Sequence, residues 1–365
     1  MKRLLVCVSL LWVCAWAVPV WSENKPLRTI NLEQIGFQHI TCEVVWQGED
    51  DYPKRRIEFL DDTHLLVHFA TPDACSGPAI QSEKHALHSA VYGLHSAVID
   101  LSGHLIHTYD WQPGEDVIAG PDGHVLVVRR DAVLVVDLDF QTIQAIPWQE
   151  DGFPGVPHPS VQLFHILVTP SRHGFAIIDS NHASLFTGLP YKETASTTES
   201  AASVGDHGFV TWSGFNPGPA VLHVDGVQWT VPAHPALGRD LIVAGNDEVL
   251  GLDRKFNLYR IDQRGSELLI ARLGSLAPGM WNSGFRFDQT LPDASRVLFF
   301  SHGVHIAFTD SSGIWSYFRT AVLDLGTGKL VFQYDGHFGD DVSISPDGHL
   351  VAARHEARLT LYSVP

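Results

Sequence analysis

The sequence predicts an all-β chain: a single seven-bladed β-propeller, with eight blades as the alternative, closed by pairing of its N- and C-terminal strands. Three observations predict it. Short apolar runs alternate with turn residues along a chain that holds 31 Gly and 21 Pro. One turn is written twice, as "GPDGHVLV" at 120–127 and "SPDGHLVA" at 345–352. A second kind of hairpin alternates with the first.

The repeated turn has a mechanism. In "DVSISPDGHLVAARH" the Pro presets φ, the Asp bonds back to its own backbone, and the Gly takes the left-handed position. Apolar residues alternate on both sides, the period-2 signature of strands. Related hairpins are "IEFLDDTHLLVHF" (57–69), "DVIAGPDGHVLVVRR" (116–130), "ILVTPSRHGFAIID" (166–179), "SVGDHGFVTWSG" (203–214), "IVAGNDEVLGLD" (242–253) and "QTLPDASRVLFFS" (289–301). Such regular recurrence marks an array architecture.

The second hairpin is clearest where "AVIDLSGHLIHTYD" (97–110) resembles "AVLDLGTGKLVFQYDG" (321–336). "LVVDLDFQTIQAIPW", "AVLHVDGVQWTVPA" and "LYRIDQRGSELLIARL" are looser versions. Each unit is therefore four antiparallel strands, the blade of a β-propeller. The last unit lacks one strand after "LTLYSVP" (359–365), and "PLRTINLEQ" (26–34) is expected to supply it, which removes an exposed edge. The run "HITCEVVW" is the source of the eight-blade alternative.

The N-terminus reads as an export signal, residues 1–22, leaving residues 23–365 as the propeller domain. Lys2 and Arg3 precede an apolar run, and Ala15-Trp16-Ala17 offers a cleavage site. Retention of the run as a membrane anchor is the alternative. Location is then periplasmic or extracellular, where Cys42 and Cys75 are expected to form a disulfide. The 41 acidic residues outnumber the 24 basic ones, for a net charge of −17, which opposes nucleic-acid binding.

The Pro-Asp-Gly hairpins and the V-x-D-L-x-x-G-x-L pattern resemble the divergent WD-repeat and TolB-like propeller repeats of exported bacterial proteins, over most of residues 56–365. The resemblance implies the fold and no particular activity.

In a four-stranded blade, both hairpin turns lie on one face. The connection between strands two and three, and the connection to the next blade, lie on the other. The hairpin turns are tight, whereas residues 72–94, 149–161, 189–204, 213–219, 275–286, 302–318 and 336–341 are read as long loops of the opposite face. Long loops on a rigid scaffold carry binding surfaces. They hold aromatic and Arg residues of the hot-spot type: Trp281, Phe285, Arg286, Trp315, Tyr317, His337 and Phe338, with Asp340 and His158 beside them. Packing between blades is the plainer role for large aromatics.

No nucleophile elbow or phosphate loop occurs. His85, His88 and His95 match no standard zinc spacing, and Asp340 and Asp341, adjacent in a strand, point apart. No metal or cofactor is expected. The expectation is a monomeric, exported, non-catalytic propeller that binds a protein, peptide or glycan on its long-loop face. The alternative is an envelope hydrolase or lyase with acid–base residues at the channel mouth.

Overall fold

The computed structural model describes residues 24–37, 57–70, 94–112, 115–129, 131–147, 167–170, 174–178, 183–197, 201–203, 208–212, 220–224, 227–231, 241–243, 248–253, 255–262, 264–273, 282–291, 295–307, 313–336 and 340–365. Among them, the strands form seven four-stranded antiparallel sheets, each the unit of a β-propeller. Among the described residues no helix is long and apolar enough to cross a membrane.

The chain enters as β1 (Pro26–Asn31), which ends in a 3-10 turn over Leu32–Ile35. The first sheet is β2 (Ile57–Phe59), β3 (His64–Ala70), β4 (Leu94–Asp100) and β5 (Leu105–Asp110). The second is β6 (Asp116–Ala119), β7 (Val125–Val128), β8 (Ala132–Val136) and β9 (Thr142–Pro147). The third is β10 (Leu167–Pro170), β11 (Gly174–Ile178), β12 (Ala183–Thr187) and β13 (Lys192–Thr197). The fourth is β14 (Ala201–Ser203), β15 (Gly208–Trp212), β16 (Ala220–Val224) and β17 (Val227–Val231). The fifth is β18 (Leu241–Val243), β19 (Glu248–Leu252), β20 (Asn257–Asp262) and β21 (Glu267–Arg272). The sixth is β22 (Asn282–Thr290), β23 (Arg296–Ala307), β24 (Gly313–Asp324) and β25 (Lys329–Gly336). The last comprises β26 (Asp341–Ile344), β27 (Leu350–His355) and β28 (Arg358–Ser363), completed by β1.

The seven hairpins read from the sequence all lie within these sheets, at β2–β3, β6–β7, β10–β11, β14–β15, β18–β19, β22–β23 and β26–β27. The expected pairing of the chain ends is present as well: Thr29 lies opposite Thr360 and Ile30 opposite Leu359.

Alternation along each strand sorts side chains between two neighbouring sheets. In β3, Leu65 and Val67 join a core with Ile30, Ala352 and Leu359 of the last sheet. The intervening Leu66 joins Val117, Val125 and Val127 of the second sheet. In β7, Leu126 and Val128 turn the other way, onto Phe175 and Ile177 of the third sheet. Both faces are covered, so the strand VLVV is buried throughout. The same logic packs Leu250 and Leu258 on Val297 and Phe299, and Leu298 and Val322 on Val342 and Val351.

The first strand of each sheet has one edge without a strand partner among the described residues, and at β2 and β6 a neighbouring sheet supplies side chains to that edge. The Asp341 carboxylate accepts the Ile57 N–H at 2.9 Å, Ser343 Oγ accepts the Phe59 N–H at 3.3 Å, and Glu58 accepts the Ala119 N–H at 3.0 Å. Buried backbone donors are thereby satisfied where no ladder can reach them.

Several loop expectations are corrected. Within 189–204, β13 and β14 cover 192–197 and 201–203. Phe285 and Arg286 lie in β22, opposite Ser301 and Phe300. Trp315 and Tyr317 lie in β24, opposite His305 and Gly303. Cross-strand pairing, a long-range interaction, overrode the loop reading of these residues. His95 is in β4, not in a histidine loop. Trp281, His337, Phe338, His158, His85, His88, Cys42, Cys75 and the run "HITCEVVW" lie outside the described residues.

Candidate functional site

On the hairpin-turn face, several aspartates close their own turns, while Asp62 accepts the Asp347 N–H of the last sheet at 2.9 Å. Asp100 accepts from Ser102 N, Ser102 Oγ and His104 N, and Asp137 from Asp139 N and Gln141 N. Asp262 accepts from Arg264 N and Ser266 N, and Asp324 from the N–H and hydroxyl of Thr327. The Ser102 hydroxyl, the Ser266 N–H and the Thr327 hydroxyl hold the carboxyls of Asp100, Asp262 and Asp324, respectively, below the usual range. In Asp61 and Asp347, burial opposes ionisation, and bonds from His64 and Thr63, and from Ser345 and His349, outweigh it.

On the opposite face the polar groups pair across strands and between sheets. His95 Nδ1 meets Asp110 at 2.7 Å, and its ring stacks on Phe69 with centroids 5.3 Å apart. The Tyr109 hydroxyl donates to Glu115 at 2.7 Å, and Arg129 Nε donates to the same carboxylate at 2.7 Å. Burial, then the Glu115 carboxylate, pushes the Tyr109 phenol up. At the far end of the chain Arg319 donates to Asp335, its Nη2 at 3.1 Å. The Tyr334 hydroxyl donates to Asp340 at 2.9 Å, and His355 Nδ1 meets the other oxygen of Asp340 at 2.6 Å.

These two sets are copies of one motif, whose halves lie in separate hairpins of the sequence. Joined, "YDWQPGEDV" (109–117) and "YDGHFGDDV" (334–342) align, so that Tyr109 matches Tyr334, Asp110 matches Asp335 and Glu115 matches Asp340. The strands before them align as well, and His95 matches Arg319. Alignment across the blade-to-blade connection, rather than within single hairpins, is the signal that exposes this site.

Of the residues read in the sequence as binding candidates, Asp340 is placed in this network with its side chain, as is His95 of the histidine set. Asp340 diverges from Asp341 as expected: it faces Tyr334 and His355, whereas Asp341 reaches Ile57. Trp315 and Tyr317 take part through a different feature. Among the described residues, β22 pairs with β23 as far as Gly303 and β25 with β24 as far as Phe318. Residues 304–307 and 313–317 pair with each other beyond those positions, as a two-stranded ribbon on this same face.

Beneath the face lies a buried polar cluster. Ser96 Oγ accepts the Trp111 Nε1–H at 2.6 Å and lies 2.8 Å from His68 Nδ1. His68 Nε2 stands 3.7 Å from Glu58, within ion-pair reach but beyond a hydrogen bond. Arg354 of the last sheet donates to the His68 carbonyl. Serine, histidine and carboxylate in a row match the composition of a nucleophilic triad. Ser96 is fully buried at 0% exposure and its oxygen is engaged by Trp111, so no substrate reaches it and the cluster is structural. Among the described residues no group of three His, Cys, Asp or Glu is placed to hold a metal ion.

No family model and no curated protein matches the chain. Solved structures are similar to it at low identity. A chain in the crystal structure of the mitotic checkpoint complex is 12% identical, covering 100% of this chain and 99% of its own, with a TM-score of 0.49. Hsv2p of Kluyveromyces lactis is 12% identical, covering 81% of this chain and 92% of its own, with a TM-score of 0.44. A variant of that protein with loop 6CD replaced by a Gly-Ser linker is 13% identical, covering 82% and 92%, with a TM-score of 0.45. None of these likenesses assigns a role to a residue.

Proposed function

We propose that the chain is an exported, non-catalytic β-propeller that binds a protein, peptide or glycan. Its seven sheets close into one ring, and the ligand docks on the face opposite the hairpin turns. In this reading residues 1–22 are the export signal, residues 23–365 the ring, and Cys42–Cys75 a disulfide formed in the periplasm or outside the cell. The ring is supported by the pairing of β1 with β28 and by the contact of β2 with β26.

The observation that carries the binding reading is the β23–β24 ribbon beside a face of cross-braced polar groups. On the other face Asp100, Asp137 and Asp262 are engaged by their own turns. A ribbon on a rigid scaffold offers backbone to a partner. The test replaces residues 304–316 by an Asn-Gly turn and compares capture of partners from an envelope extract. Loss of a stoichiometric partner with unchanged thermal stability supports the reading, and unchanged capture overturns it.

One observation favours the second reading, a hydrolase or lyase: His355 stands beside the buried carboxylate of Asp340. That reading expects turnover of chromogenic glycosides or esters that His355→Gln abolishes. Absence of turnover in the unaltered protein removes it.

A further inference from the structure

The second-hairpin turns of the first, second and fifth sheets are built alike. Asp100, Asp137 and Asp262 each accept the N–H groups two and four residues on. The residue between, Gly103, Phe140 or Gly265, donates its N–H to the carbonyl of the same Asp. That residue is left-handed in all three, with φ +86° at Gly103, +78° at Gly265 and +56° at Phe140. Gly328, with φ +65°, has the same role in the longer turn of the sixth sheet. Glycine adopts this conformation freely, Asn and Asp tolerate it, and a bulky side chain there is strained. Turn chemistry alone does not account for a phenylalanine.

The neighbouring sheet accounts for it. The turns at Gly103 and Gly328 meet the outermost strand of a neighbouring sheet at close range. A Cβ at Gly103 would lie 2.7 Å from Ile30 Cγ2 of β1, and one at Gly328 2.4 Å from the Ile270 carbonyl oxygen of β21. Between the first and second sheets the turn instead carries a ring. Phe140 stacks on Tyr109 of β5, with 4.9 Å between centroids and 20° between planes, and His107 of the same strand lies 5.9 Å away. Phe140 and Tyr109 are both half-buried and pack against the core that the two sheets share. The Tyr109 hydroxyl donates to Glu115, which also accepts the Gln112 N–H at 2.8 Å and Arg129 Nε at 2.7 Å. The other copy of the motif has a different neighbour. The last sheet is completed by β1 and not by a second hairpin, and Tyr334 meets Tyr362 of β28, tilted by 55° at 6.2 Å.

We propose that Phe140 is a positioning residue for the Tyr109–Glu115–Arg129 brace, a ring wedged between the first and second sheets that fixes the direction of the Tyr109 side chain. The stack keeps the Tyr109 hydroxyl on Glu115. Glu115, whose side chain is 4% exposed, then holds the connection between the sheets through Gln112 and Arg129. A glycine at position 140 would relax the turn and release the phenol, so the left-handed strain is retained for the sake of the stack. The role of Phe140 is independent of what the face binds.

Hydrogen exchange of the full chain tests this at the Gln112 N–H, whose acceptor is the Glu115 carboxylate. Phe140→Gly gives the turn the residue that Gly103 and Gly265 already supply, so the backbone accepts it. In this variant Gln112 is expected to exchange about three- to tenfold faster, the ratio for one weakened hydrogen bond, while the amides of β7 are unchanged. Phe140→Tyr keeps a ring and restores the rate of the unaltered protein. Tyr109→Phe keeps the stack but lacks the hydroxyl; it speeds Gln112 by a similar factor, and adding Phe140→Gly to it has no further effect. Unchanged exchange at Gln112 in Phe140→Gly overturns the proposal. So does a rise shared equally by Gln112 and β7, the result for a ring that only fills space, and so do factors that multiply in the double variant.

Discussion

The carboxylate of Asp341 accepts the backbone N–H of Ile57 at 2.9 Å, across a separation of 284 residues. The bond joins the opening strand of the first sheet to the opening strand of the last. Both strands have an open edge there, and a side chain closes what no β-ladder reaches. Replacing Asp341 by Ala leaves a half-buried N–H without its acceptor, which is expected to cost about 1–3 kcal/mol. Asn, which retains an acceptor oxygen, is expected to cost less. Urea denaturation measures both, and equal losses in the two variants contradict this role for the carboxylate.

Ser96 holds His68 and Trp111 together in the interior. Ser96→Ala strands both ring nitrogens and is expected to destabilise by about 1–3 kcal/mol. Because the partners share one oxygen, Ser96→Ala and Trp111→Phe should not add. A double-mutant cycle with no coupling refutes the shared bond.

Two glycines separate strain from crowding. Gly328 has φ +65°, and a Cβ there would lie 2.4 Å from the Ile270 carbonyl oxygen of the fifth sheet. Gly188 has φ +73° with open space around it. Gly188→Ala is expected to cost about 1–2 kcal/mol from the left-handed backbone alone. Gly328→Ala carries that penalty plus a backbone clash, for about 2–4 kcal/mol. Thermal unfolding orders the two, and the reverse order is inconsistent with the close approach of the fifth and sixth sheets.

The turn aspartates set the acid limit. Asp100, Asp262 and Asp324 are held below the usual carboxylate range by bonds from Ser102, Ser266 and Thr327. A depressed folded-state value means that the unfolded chain takes up protons first. The contribution is therefore complete above the unfolded value of about 3.9 and is lost as pH falls through the lower folded value. The unfolding temperature is expected to drop below about pH 4. Asp100→Asn combined with Asp324→Asn should make that drop shallower, and an unchanged profile is the contrary result.

How much of this was legible in the sequence depends on range. The turn at Pro346-Asp347-Gly348 was readable because its chemistry is contained in adjacent residues: Asp347 bonds Ser345 Oγ and His349 N. The same holds for Asp100 and Asp324. Trp315 and Tyr317 were misread as loop residues because Gly313 and the Ser-rich approach to it look like a loop, whereas strand pairing with Gly303–Ala307 carries the ladder onward. The site was partly legible. Asp340 was singled out; its partner Tyr334 shows only once 109–117 is aligned with 334–342, and His355 stands on a strand that no local pattern links to it.

The sequence by itself determined the hairpins, their alternation, and the strand lent from the N-terminus to the last sheet. Period-2 alternation and turn residues act over a few positions, and a missing strand shows in a simple ordering of the chain. Tertiary structure alone decided which side chains cross from one sheet to the next: Asp341 to Ile57, Glu58 to Ala119, and Asp340 between Tyr334 and His355. Those contacts depend on how neighbouring sheets are set against each other. That setting comes from packing many apolar side chains between them at once, not from any one stretch of residues.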